Sequence, residues 1–217
     1  MFIRRLAMLT AAAAIGLLAL GSASASATTA LRTDPGGALL SGSTTITNTS
    51  SNNATLAISG LGELNCSQTK FDADVTANSS GTTIAGTLTA LTFTNCTDTI
   101  PLIDVTECSL DPDRALPGVS ISSTAVGGNV TINDAGVRCF VPSLNGFCYY
   151  TGTTASAVGI GNNAASTLTY TNVQVDQYTG ATSSIGFGLC GTSGNFSVQL
   201  NHIVQGGTNR TVTTTTS

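Results

Sequence analysis

The chain has 217 residues, only 8% of them charged, with seven Lys and Arg against eleven Asp and Glu and a net charge of −4. So few cations on an acidic chain exclude nucleic acid and anionic membrane as expected partners, because both are held through Lys and Arg contacts. Hydrophobic residues make up 41% of the sequence, and Thr, Ser, Gly, Asn and Val are abundant, so a packed β-rich core is expected rather than disorder.

The first segment reads as an export signal. Met1-Phe2-Ile3-Arg4-Arg5 supplies positive charge, Leu6 to Leu20 is uncharged and apolar, and Gly21 to Ala27 is small-residue sequence of the A-x-A kind. The apolar run is about 15 residues, short of the roughly 20 that span a bilayer. The expected cut falls after Ala27, with Ala25 as the competing site. The arginine pair lacks the polar motif of a twin-arginine signal, and no Cys precedes Cys66, so no lipid anchor is expected on the new N-terminus. Loss of Arg4 and Arg5 leaves five cations against eleven acids, a net charge of −6. The expected organisation is a cleaved leader, 1–27, and a single all-β domain, 28–217, with no membrane span after cleavage.

After the leader, alternation of period two replaces any helical period. In chain order, short strands are expected at Thr45–Thr47 and Thr55–Ile58, then Phe71, Ala73, Val75 and Ala77 share one face, opposite Asp72, Asp74 and Thr76. Ile84 to Phe93 alternates with a phase slip between Ala90 and Leu91. Val119–Ile121, Val130–Ile132, Val137–Val141 and Phe147–Tyr150 follow. Leu168 and Tyr170 alternate until a slip at Asn172, before Val173 and Val175. Phe196, Val198, Leu200, His202 and Val204 complete a longer strand. One-residue slips are what β-bulges produce. Gly- and Asn-rich punctuation, such as Asn133-Asp134-Ala135-Gly136 and Asn145-Gly146, supplies the positive-φ positions of hairpins. The spacing predicts an antiparallel β-sandwich or barrel of roughly 10–13 short strands. Asp98 to Pro117, with five acids and three prolines, is expected to be one long acidic loop.

Six cysteines, Cys66, Cys96, Cys108, Cys139, Cys148 and Cys190, all follow the leader, and an even count in an oxidising compartment reads as disulfides. The preferred pairing is Cys66–Cys96 and Cys139–Cys148, each across nearby strands, which leaves Cys108–Cys190 by elimination. Zinc is disfavoured by the lack of C-x-x-C and by the distance of the single His from any Cys pair.

Candidate chemistry is sparse. Gly191-Thr192-Ser193-Gly194 resembles the glycine-flanked serine of chymotrypsin-like secreted proteases, but His202 follows Ser193 where that family places its His first. The bland alternative is a turn into a strand with His202 near its end. Asp72 and Asp74 project to one side of a strand, about 7 Å apart. Paired carboxylates act on sugars in glycosidases, or simply form a solvated strand face. The absence of Trp leaves few stacking platforms for a sugar. The acidic stretch 98–117 offers oxygen ligands for calcium, but Asp111-Pro112-Asp113 departs from the D-x-[DN]-x-[DN]-G loop. No cofactor, no metal and no catalytic residue is assigned.

Several stretches together resemble a known group: the leader ending in small residues, Gly62-Glu63-Leu64-Asn65-Cys66, Leu88 to Cys96, Cys148-Tyr149-Tyr150-Thr151-Gly152 and Leu189-Cys190. The chain is similar in these to uncharacterised exported all-β proteins of actinobacteria. The resemblance implies a secreted β protein and no activity, so no functional residue is carried over. The leading expectation is a non-enzymatic secreted or cell-wall-associated β domain with a structural or binding role, its candidate partners an extracellular protein or a cell-surface glycan. The alternatives are a secreted hydrolase using Ser193 and His202, and a secreted inhibitor or small-ligand binder. An apolar pocket would favour the binder over a structural role.

Overall fold

A computed structural model describes residues 28–32, 44–50, 52–59, 61–75, 83–100, 103–124, 127–152, 155–159, 168–201, 203–205 and 208–215. Residues 1–27, expected to be the export signal, and Ala77 and His202 lie outside the described residues. The early strands are β1 (Thr28–Arg32), β2 (Thr44–Thr49), β3 (Ala54–Ile58), β4 (Gly62–Val75) and β5 (Thr83–Asp98). Next come β6 (Glu107–Leu110), β7 (Gly118–Thr124), β8 (Gly127–Asn133), β9 (Ala135–Val141), β10 (Gly146–Gly152) and β11 (Ala155–Gly159). The chain ends with β12 (Leu168–Gln177), a short helix α1 (Phe187–Cys190), β13 (Ser193–Leu200), β14 (Ile203–Gln205) and β15 (Thr208–Thr215). These fifteen strands exceed the expected 10–13, chiefly through β1, β6, β11 and β15, which lack a clear apolar alternation.

All pairings between these strands are antiparallel, with one isolated parallel bridge between Phe147 and Ser184, and the sheet closes into an eight-stranded barrel built in two tiers. One tier runs β4–β3–β13–β12–β10–β9–β6–β5 and returns to β4. The other uses the opposite halves of the long strands: β4–β2, then β14 and the end of β13, then β12–β11–β8–β7–β5. Thus β5 pairs with β7 through Thr83–Thr87 and with β6 through Thr92 and Phe93. β12 likewise pairs with β11 at Leu168 and Thr169 and with β10 at Val175 to Gln177. The β1–β15 ribbon leaves β14 and lies against β5, β7 and β8, so it crosses one end of the barrel.

Each long strand that changes partners is re-aimed at the junction between tiers. On β12 the register shifts between Tyr170 and Val173, with Asn172 left-handed at φ 52°, where the sequence predicts the slip. On β5 the extra residue is Thr89, one place before the predicted slip, because Asp72 faces Ala90 while Ala73 faces Leu88. On β4 the inward phase runs Leu64, Cys66 and then Thr69, Phe71, Ala73 and Val75, with Ser67 and Gln68 both exposed. A bulge bends a strand and raises its twist, which lets one strand serve two differently oriented neighbours.

Three disulfides join Cys66–Cys96, Cys108–Cys139 and Cys148–Cys190. The first pairing is as expected; the other two correct the sequence reading. Cys139 faces Cys108 on one side and Cys148 on the other, so the three form a row across β6, β9 and β10. Cys190, at the end of α1, stands beyond Cys148. Bonding Cys139 to Cys148 would leave Cys108 at least two strand spacings, about 9.6 Å, from its remaining partner, too far for a disulfide. The Asn145-Gly146 hairpin is where the sequence places it, with Asn145 left-handed at φ 45°.

The stretch 98–117 is not one loop. β6 runs through it, carrying Glu107 and Cys108 into the barrel wall, because Cys108 needs a buried position beside Cys139.

Candidate functional site

Inward side chains of the long strands fill most of the barrel with Ile, Leu, Val, Phe and Tyr. They leave a cavity of about 100 Å³. Most of its lining belongs to the first tier, including Leu56, Cys108, Cys139 and Tyr150 on strands of that tier alone. Thr69, Leu91 and Val173, the first inward residues beyond the slips on β4, β5 and β12, line it where it reaches the tier junction. Phe93 and Phe196 pack edge to face against each other in its wall, their centroids 5.4 Å apart. Leu91, Val137, Val173, Val175 and Phe196 line the cavity yet are only partly buried.

The lining is hydrocarbon and disulfide sulfur, from Cys66, Cys108 and Cys139, apart from a few hydroxyls. Tyr150 Oη donates to the Cys190 carbonyl at 2.6 Å, and Tyr170 Oη to the Val130 carbonyl at 3.4 Å. Burial pushes both phenols well above their ordinary pKa. Thr55 belongs to the outward phase of β3. Thr69 is different: it is 4% exposed, and its Oγ1 has no hydrogen-bond partner. Its backbone is fully engaged, with its N–H donating to Ser50 Oγ at 2.9 Å and its carbonyl accepting from the Ser50 N–H. A buried, unsatisfied hydroxyl costs about 1–3 kcal/mol, and Arg138 Nε and Gln177 Oε1 are likewise buried without a partner.

The residues singled out by sequence are not brought together here. Ser193 opens β13 and Leu200 closes it, about 23 Å apart in an extended strand. Asn201 and Ile203, on either side of His202, belong to that far end. Asp72 accepts from Thr47 Oγ1 and pairs with Lys70 Nζ, both at 2.6 Å, while Asp74 accepts from Thr45 Oγ1 at 2.5 Å. The two carboxylates thus form a cross-strand ladder with β2, on a strand flanked on both sides rather than on an edge.

Acids of the 98–117 stretch are dispersed as local caps. Asp98 accepts from the Val105 N–H at 2.7 Å, and Asp111 accepts from Tyr178 Oη at 2.7 Å and the Asp113 N–H at 3.1 Å. Ser143 hydrogen bonds hold the Asp104 carboxyl below its ordinary range, and burial followed by the bond to Asp111 raises Tyr178. Among the described residues no three His, Cys, Asp or Glu converge as a metal site.

A second hollow, about 230 Å³, lies on the outer face among Glu107, Ser109, Arg138, Phe140 and Phe147. Arg138 stacks over the Phe147 ring at 4.8 Å, and its Nε is buried with no partner. A row of rings continues from Phe147 through Tyr149 to Tyr178, over which Arg114 stacks at 4.9 Å. Sequence reading missed both hollows. Alternation tells which side chains point inward but not whether they meet, and the slip on β4 hides the inward phase of Thr69.

Outward positions of β4 carry Glu63, Asn65, Gln68, Lys70, Asp72 and Asp74, opposite to a lipid-facing barrel wall. No helix among the described residues is long and apolar enough to cross a membrane. Compared with known proteins, the chain matches no family model, no curated protein and no solved structure. Fold and site define a class, an antiparallel barrel stapled by disulfides with an apolar cavity in its interior.

Proposed function

We propose that this is an exported, non-enzymatic binding domain whose barrel holds a small apolar ligand, and that it acts outside the cell or at the cell wall. The apolar cavity in the barrel carries this reading, since small-molecule sites are concave and lined mainly by apolar side chains. Export is supported by the leader-like 1–27 segment and by three disulfides, which persist in oxidising compartments. Kinship with the exported actinobacterial β proteins is part of the same proposal.

The test is thermal unfolding of the disulfide-intact protein with benzene, toluene, ethylbenzene and hexane. At ten times Kd, linkage raises Tm by about 3–6 °C for at least one of them. No shift with any of the four would overturn the reading. N-terminal sequencing of the exported protein should begin at Thr28; a retained leader would contradict export by cleavage.

A further inference from the structure

We infer that the hollow on the outer face of β6, β9 and β10 is a second binding site, independent of the barrel cavity, and that it takes a zwitterion, a free aromatic α-amino acid. Its walls follow from strand parity. Cys108, Cys139 and Cys148 are buried on the barrel side, so their neighbours Glu107, Ser109, Arg138, Phe140 and Phe147 project outward from three adjacent strands. At about 230 Å³ the hollow falls below the ~300 Å³ where ligand pockets usually begin, which suits one amino acid rather than a peptide. Phe140 and Phe147, tilted with centroids 5.2 Å apart, offer an aromatic side chain the inclined contacts that rings prefer.

Charge decides the ligand class. Lys70 and Arg114 each hold a carboxylate, Asp72 at 2.6 Å and Asp134 at 2.7 Å. Arg138 holds none. It stacks over Phe147 as Arg114 stacks over Tyr178, but no ion pair or hydrogen bond among the described residues completes it. Its Nε is shut against the protein, whereas its two terminal nitrogens are neither buried nor bonded, and they can grip a carboxylate through paired hydrogen bonds. Glu107 is exposed and also unpaired. It stands diagonal to Arg138 across β6 and β9, a backbone separation of about 7–8 Å. The two charges are too far apart to pair and leave room for a ligand between them. A simple anion would be repelled by Glu107 and a simple cation by Arg138, whereas an ammonium beside a carboxylate is attracted by both.

Chemical-shift titration of the full chain with phenylalanine, phenylalaninamide and N-acetylphenylalanine tests this, because each of the last two lacks one of the charges. Both blocked forms should bind the native protein about tenfold more weakly than phenylalanine. Glu107→Gln should weaken phenylalanine about tenfold and leave N-acetylphenylalanine unchanged, while Arg138→Gln should weaken phenylalanine equally and leave phenylalaninamide unchanged. Glu107 is exposed, so its variant still decides the matter where Arg138→Gln does not fold. Equal native affinities for the three compounds, or variants that weaken all three alike, would overturn the inference. So would a native protein that does not bind phenylalanine, with the Arg138–Phe147 stack then serving only as packing. None of these outcomes touches the barrel cavity, whose test uses uncharged hydrocarbons.

Discussion

A threonine hydroxyl that faces only hydrocarbon is a loss to the empty protein. Replacing Thr69 with Val keeps the branched shape and removes the unsatisfied oxygen, so Thr69→Val should raise unfolding stability by about 1 kcal/mol in urea titration. A drop instead would show that Oγ1 has a partner in solution. The buried phenols give a pH test with a definite sign. Tyr150 and Tyr170 have folded pKa values raised by burial above the ordinary value of about 10. Their contribution is therefore fully present below pH 10 and is lost as pH rises, because the unfolded chain sheds those protons first. Stability should fall above pH 10 by up to about 2.7 kcal/mol per pH unit for the pair. Reversible ionisation of all four tyrosines near pH 10 in the folded state would contradict it.

Strands, bulges and disulfides were legible to different depths. The slip at Asn172 could be read because Tyr170 and Val173 are large and apolar on either side of polar residues, so the phase change is visible. On β5 the slip is blurred by Thr89 and Ala90, small residues that suit either face, and the sequence places it one residue late. A β-branched residue at Asn172 would lose the left-handed conformation that Asn tolerates, so Asn172→Val should cost about 1–2 kcal/mol in the same unfolding assay. A neutral result would mean that the bulge can relocate. All three bonds join cysteines that are consecutive in the chain, and Cys108–Cys139 spans 31 residues against 30 for Cys66–Cys96. The sequence reading missed it because Cys139 and Cys148 face each other across one hairpin, whereas Cys108 reaches Cys139 only through the insertion of β6 between β5 and β9. Nonreducing peptide mapping should recover Cys108–Cys139 and Cys148–Cys190; a Cys139–Cys148 peptide would contradict the row described above. Loss of the Cys148–Cys190 bond opens a 42-residue separation and should cost about 4 kcal/mol by loop entropy.

For the whole molecule, alternation and turn residues foretold an all-β antiparallel fold, but closure into a barrel depends on how four long runs share partners. β4, β5, β12 and the β13–β14 run each contribute to both tiers, and no local pattern announces that a strand will be divided between two neighbours. The cavity is equally hidden, because alternation shows which side chains point inward but not whether they meet. A jigsaw-packed interior would have no such space, and the account stands on its being there. A crystal structure under xenon pressure tests this most directly, since xenon enters dry apolar cavities. The account predicts a xenon peak inside the barrel bounded by Thr69, Phe93, Val173 and Phe196. Xenon confined to the surface, with side chains closed over the tier junction, would contradict it.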